Sequence, residues 1–146
     1  METKMKREDF PAPEDGFVVT HFLTVEDIQR SVKFYSEVLG GEVLMDSGLG
    51  MVKLANSWII VNVGGGPTDD KPDVYLSPPK EPNQVQQFLN LRVANIQEKY
   101  EEWSAKGAEF LTEPIDRGAE IRCYMRDPDG YLIEVGQATG IVESLG

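Results

Sequence analysis

Val25-Glu26-Asp27-Ile28-Gln29 and Val93-Ala94-Asn95-Ile96-Gln97 are two copies of one junction. Each follows a strand-like apolar run, Phe17–Val25 in the first copy and Phe88–Val93 in the second. Each opens a stretch with apolar residues at helical spacing: Ile28, Val32 and Tyr35, then Ile96, Tyr100 and Trp103, every pair 68 positions apart. Asp27 and Asn95 stand where a side-chain oxygen can accept a hydrogen bond from the first helical turn, so both are expected N-caps. The helices are expected over 28–39 and 96–106, each stopped by a glycine (Gly40 or Gly41, and Gly107) that can adopt the left-handed conformation of a C-terminal cap. A strand then begins with Glu-apolar-Leu in both copies, Glu42-Val43-Leu44 and Glu109-Phe110-Leu111. Two copies of one βα unit predict a duplicated module, and a duplicated module commonly builds its ligand site between its halves.

Outward from that repeat, the first copy continues with strands expected at Glu42–Asp46, Gly50–Leu54 and Trp58–Val63. The second continues with Glu109–Leu111, Glu120–Arg126 and Tyr131–Val135. Asp127-Pro128-Asp129-Gly130 joins the last two, with proline second and glycine fourth, a strong type I turn signal. Parallel pairing of the first two strands across each helix is expected from the βα crossover. The organisation is therefore a charged arm at 1–16, a βαβββ module at 17–64, a connector at 65–86, a second βαβββ module at 87–137 and a tail at 138–146. The connector follows Gly64, carries Gly65 and Gly66, and holds five prolines, so it reads as non-sheet. The glycine run is no phosphate loop, because no Gly-Lys-Ser/Thr follows it.

The 146 residues suit one compact domain or two half-domains, and an apolar content of 40% supports a core. A net charge of −11 argues against nucleic acid as a partner and is compatible with a cationic ligand or simply a self-repelling soluble surface. No apolar stretch approaches a membrane span, and the N-terminus lacks a secretory apolar region. One cysteine, Cys123, fits a reducing cytoplasm and reads as a small strand residue.

The helix Asp27-Ile28-Gln29-Arg30-Ser31-Val32-Lys33-Phe34-Tyr35-Ser36-Glu37-Val38-Leu39-Gly40 and the hairpin Arg126-Asp127-Pro128-Asp129-Gly130-Tyr131-Leu132-Ile133-Glu134 resemble those of the vicinal oxygen chelate superfamily, the glyoxalase / bleomycin-resistance protein / extradiol dioxygenase fold. The resemblance spans about residues 17–137. It implies an α+β fold of two tandem βαβββ modules, forming a curved, partly closed mixed sheet around a cavity, and a homodimer. It says less about chemistry, since isomerases, lyases, dioxygenases and non-catalytic drug binders share the fold.

Metal-dependent members of that family carry ligands on the first and last strand of each module. The resemblance places one at Glu134, a match, and its first-module counterpart at Asn62, when Val61-Asn62-Val63-Gly64 is laid on Ile133-Glu134-Val135-Gly136. The first-strand positions fall on Thr20 and Phe88, and phenylalanine cannot ligate a metal. The single histidine, His21, is one residue away from Thr20, and alternation puts it on the helix side with Leu23 and Val25 unless a bulge turns it inward. A two-histidine iron site within one chain is excluded. His21 and Glu134 are the anchors of any divalent metal that is retained; otherwise His21 is a hydrogen-bonded strand residue and Glu134 a carboxylate paired with Arg92 or Arg122.

The face carrying Thr20 and Glu134 is expected to line the cavity. The expected ligand-binding residues are Thr20, Phe22, Trp58, Asn62, Phe88, Asn90, Arg92, Arg122, Tyr124 and Glu134, with Thr24, Ile60, Glu120 and Leu132 on the same face. Aromatic walls with a few convergent polar groups suit a small molecule. Three functions follow. The first is a cytoplasmic small-molecule binder without the family's full metal site. The second is a divalent-metal-dependent lyase or isomerase with Glu134 as catalytic residue. The third is an assembly partner using the charged arm.

Overall fold

The computed structural model describes residues 9–140, so residues 1–8 of the expected arm and 141–146 of the expected tail lie outside it. Two compact units divide at Pro78/Pro79, inside the expected connector. Each contains a mixed sheet with a helix on one face, and the arrangement is the α+β, twice-repeated βαβββ fold.

In the first unit, β1 (His21–Val25) leads into α1 (Ile28–Lys33), followed by β2 (Glu42–Ser47), β3 (Leu49–Leu54) and β4 (Ser57–Val63). Asp27 is the N-cap, its carboxylate accepting from the Arg30 N–H at 3.1 Å. The expected helix over 28–39 is α-helical only to Lys33; Phe34–Val38 forms a wider π-helical turn, and the Leu39 N–H reaches back five residues to the Phe34 carbonyl. Gly40, at φ +86°, then turns the chain into β2 in a conformation that a side chain would strain.

The strand order is β1-β4-β3-β2. β1 pairs in parallel with β4, and β2 lies at the far edge, which corrects the expectation that the first two strands pair across the helix. The intervening hairpins carry β4 back beside β1. A parallel neighbour needs a long crossover, and the whole segment α1-β2-β3 serves as one. The expected strand at Phe17–Val25 shortens to His21–Val25, because residues 17–20 make no ladder bonds. The Ser57 hydroxyl instead donates to the Val19 carbonyl at 3.1 Å. Leu23, Val25, Val52, Ile59 and Val61 form the covered face, closed by Val32, Phe34, Tyr35 and Leu39 from the helix. Each such buried aliphatic or aromatic side chain contributes roughly 1.5–3 kcal/mol.

The second unit runs β5 (Leu89–Arg92), α2 (Ile96–Ala105), β6 (Glu109–Phe110), β7 (Ile115–Asp116), β8 (Glu120–Arg126) and β9 (Leu132–Ala138). Its order is β5-β9-β8-β6, with β7 also on β8, a short strand that carries no sequence signal. Again the first strand pairs in parallel with the last, β5 with β9. Asn95 caps α2 as expected, accepting from the Glu98 N–H at 3.1 Å, and the Gln137 side chain accepts from the Ile96 N–H at 2.7 Å. The Asp127–Gly130 turn closes with a 2.9 Å Gly130 N–H to Asp127 carbonyl bond. The buried Asp127 carboxylate also accepts from the N–H groups of Asp129 and Tyr131. Ile96, Trp103, Cys123, Met125, Ile133 and Val135 are the core.

The connector is more structured than expected. Gly65 and Leu76 exchange both backbone hydrogen bonds, and the Arg126 guanidinium donates to the Pro82 carbonyl at 2.7 Å and to the Asn83 side chain at 3.0 Å. The described part of the arm is tied to the first sheet: the Trp58 indole N–H donates to the Asp9 carbonyl at 2.8 Å. No helix among the described residues is long and apolar enough to cross a membrane.

Candidate functional site

Strand alternation and register give each sheet one helix-covered face and one open face. In the first unit His21 is opposite Ile59, and Leu23 opposite Val61. His21 therefore lies on the helix side, as alternation predicts, with no bulge to turn it. It is half-buried, and loss of hydration lowers its pKa from the ordinary 6.5. Phe22 and Ile60 are paired on the open face, joined by Met51 from β3, while Lys53 and Trp58 are paired beside them. Thr24 and Asn62 are also paired, but Thr24 is buried, and the Asn62 side chain accepts from its neighbour's N–H. Thr20 stands just ahead of β1, outside the ladder.

Register also corrects one residue of the expected ligand set. Asn90 is opposite Glu134 in the second unit; its first-unit equivalent, Phe22, is opposite Ile60. The counterpart of Glu134 is therefore Ile60 rather than Asn62. Matching the two strands by the glycines that end them shifts the alignment by two residues, which keeps the facing but changes the chemistry.

The second open face holds the concentrated polar chemistry. Glu134, on the central strand β9, is 7% exposed. Its carboxylate accepts from the Tyr124 hydroxyl at 2.9 Å and lies 3.7 Å from the Arg92 guanidinium. Of the two arginines expected as partners, Arg92 is the one that pairs with it. Arg92 also meets Glu120 at 3.2 Å, and Glu120 in turn meets Arg122 at 3.4 Å. One carboxylate thus bridges two guanidiniums. The Phe88 ring stands edge-on to Tyr124, centroids 5.9 Å apart. Burial raises the Tyr124 pKa, and its bond to Glu134 raises it further, so the phenol stays a donor.

Gly136 completes the arrangement. Arg92, Gly136 and Arg122 share one register row across β5, β9 and β8. A Cβ at Gly136 would lie 2.1 Å from Arg92 Nη1 and 2.9 Å from Cζ, so the guanidinium occupies the space a side chain would take. Sequence reasoning named Arg92 and Glu134 but missed Gly136; a glycine inside a strand was the available signal, marking close approach of another group.

The donor set does not fit a divalent metal. The four family positions read Thr20, Ile60, Phe88 and Glu134 once register is applied, one metal-binding carboxylate among them. Glu134 is committed to Tyr124 and Arg92, and His21 is on the helix-covered face. Among the described residues no group of three or more His, Cys, Asp or Glu could hold a metal ion.

The comparisons agree with this geometry at the level of fold and family. The profile of the Glyoxalase/Bleomycin resistance protein/Dioxygenase superfamily matches residues 18–135, and the chain belongs to that superfamily. The lactoylglutathione lyase of Salmonella typhimurium is 30% identical over 131 residues, covering 85% of this chain and 94% of the relative. Among solved structures, the antibiotic binding protein TnmS3 from Streptomyces sp. CB03234 superposes with a TM-score of 0.64 at 16% identity, over 88% of this chain and 100% of that one. The fosfomycin resistance protein FosX from Listeria monocytogenes gives 0.60 at 18%, over 86% and 96%. At those identities the two structures speak for the fold alone.

Proposed function

We propose that this chain is a small-molecule binding protein whose ligand rests on the open face of the second sheet. Phe88 and Tyr124 supply aromatic surface, and Asn90, Arg92 and Arg122 supply donors. One observation carries the reading: the buried Glu134 carboxylate is held by the Tyr124 hydroxyl and the Arg92 guanidinium, which fixes both groups in place. Groups locked by their own neighbours bind without further ordering, the property a ligand site needs. The two arginine side chains remain 47% and 37% exposed, so N–H groups beyond the internal pairs face outward for acceptors on a ligand. The antibiotic-binding and resistance proteins that share the fold make antibiotics the first class to try.

The test is calorimetric titration of chelator-treated protein with a panel of aromatic antibiotics and fosfomycin. One-to-one binding, weakened about tenfold or more by Arg92→Ala or Arg122→Ala in folded variants, is the expected result. Binding by no member of the panel, or only after a divalent metal is added, would overturn the proposal.

The identity to lactoylglutathione lyases favours a second reading, a lyase or isomerase in which Glu134 transfers a proton. It expects turnover of lactoylglutathione that drops about 100-fold or more in Glu134→Gln. Unchanged turnover in that variant ends it.

A further inference from the structure

We propose that residues 9–18 build a second small-molecule site, on the open face of the first sheet, that takes an uncharged aromatic molecule of one or two rings. It does not depend on the charged face of the second unit binding anything. The segment leaves β1 backwards, and two side chains at the start of β4 fasten it. Ser57 donates to the Val19 carbonyl at 3.1 Å, and the Trp58 indole N–H donates to the Asp9 carbonyl at 2.8 Å. Between these two ties the chain arches over Trp58. The arch borders an open cleft of about 370 Å³ lined by Phe10, Pro11, Pro13, Glu14, Val18 and Trp58, with Ala12 between the prolines.

The walls set the ligand class. Two aromatic rings and two proline rings are flat, rigid and apolar, and they suit a flat apolar guest, which loses little freedom on binding. The volume is at the low end of the roughly 300–1,000 Å³ typical of small-molecule pockets, which favours one or two rings over a larger framework. Charge is disfavoured in both signs. Transfer of either ion from water onto these apolar walls costs hydration that the walls do not return, and the Lys53 ammonium already stands 5.2 Å from the Trp58 ring centroid, where it repels a second cation. The indole N–H already has its partner in Asp9, so Trp58 offers its ring rather than a donor.

The experiment is a titration of the full chain with indole, followed through the two tryptophan side-chain N–H resonances of isotope-labelled protein. Trp103, on α2, is buried and serves as the internal control. The expected result is a saturable shift of the Trp58 resonance with Trp103 unmoved. Phe10→Ala, which alters only the arch, should weaken binding about five- to tenfold while the Trp103 resonance stays in place. Tryptamine and indole-3-acetate should each bind several-fold more weakly than indole. Absence of a saturable Trp58 shift up to the solubility of indole would overturn the site. An unchanged affinity in Phe10→Ala would overturn the role of the arch, and equal binding of the charged analogues would overturn the ligand class.

Discussion

Gly136→Ala should evict the Arg92 side chain from the second open face. The new methyl would fall 2.1 Å from Nη1, well inside van der Waals contact, and the atom it meets is the far end of a flexible side chain. The arginine moves; the strand stays, since Gly136 does not have the positive φ that would make alanine a backbone strain. Moving the guanidinium breaks the 3.2 Å pair with Glu120 and the 3.7 Å pair with Glu134. The first is half-exposed and counts for a few tenths of a kcal/mol. The second sits on a nearly buried carboxylate, and together they are worth about 1–2 kcal/mol. Alanine in a strand recovers about 0.5–1 kcal/mol relative to glycine. The net expectation is a loss of about 0.5–1 kcal/mol, which at a urea m-value of about 2 kcal/mol/M lowers the midpoint by roughly 0.25–0.5 M. In an Arg92→Ala background the clash has no partner, so the same Gly136→Ala change should stabilise by about 0.5–1 kcal/mol. Urea denaturation of the four proteins in this double-mutant cycle measures the coupling, expected at about 1–2 kcal/mol. Equal effects of Gly136→Ala in both backgrounds would refute the claim that the glycine exists to seat the arginine.

Two further outcomes follow from burial. His21, with its folded pKa below 6.5, resists the proton that the unfolded chain accepts. Stability should fall as pH drops below about 6.5 and stop falling below the folded value, whereas His21→Gln should lack this component; parallel stability profiles for the two proteins between about pH 7 and 5 would contradict it. Cys123 is 1% exposed, and burial pushes its thiol up to about 11. It should react with Ellman's reagent at about pH 8 only as fast as the chain unfolds, and rapid stoichiometric labelling of the native protein would disprove that.

Local signals in the sequence translated directly into structure. Asp27 and Asn95 cap the helices they were expected to cap, and Asp127-Pro128-Asp129-Gly130 makes its turn, because each depends on hydrogen bonds to residues two to four positions away. The face of each strand was legible for the same reason: alternation alone puts His21 under the helix and Glu134 on the open side. What failed depends on distant partners. Nothing between residues 17 and 25 says that the first four will lose their ladder to an arch fastened by Ser57 and Trp58. Nothing in α1 says that β1 will skip β2 and pair with β4. The substitution of Ile60 for Asn62 in the ligand set is visible only once pairing fixes which residues face each other. The pairing of Arg92 with Glu134 on one face was legible, but the seat provided by Gly136 was not, since a glycine records its role only through the group that fills its place.

The π-helical turn at Phe34–Val38 has a history written in the residue numbers. Ile28 and Ile96, Val32 and Tyr100, and Tyr35 and Trp103 keep an offset of 68, yet Gly40 and Gly107, and Glu42 and Glu109, keep one of 67. The first copy holds one residue more between Tyr35 and Gly40, and the widened turn is where that residue is absorbed. An insertion in a regular α-helix would rotate everything beyond it by about 100° and swing the following strand off its sheet. A local swelling takes up the surplus within one turn and leaves the downstream chain aimed as before. Halves that began alike could thus drift in length without losing their common plan, and shortening the first helix by its exposed Glu37 should return it to the plain α-helix of the second.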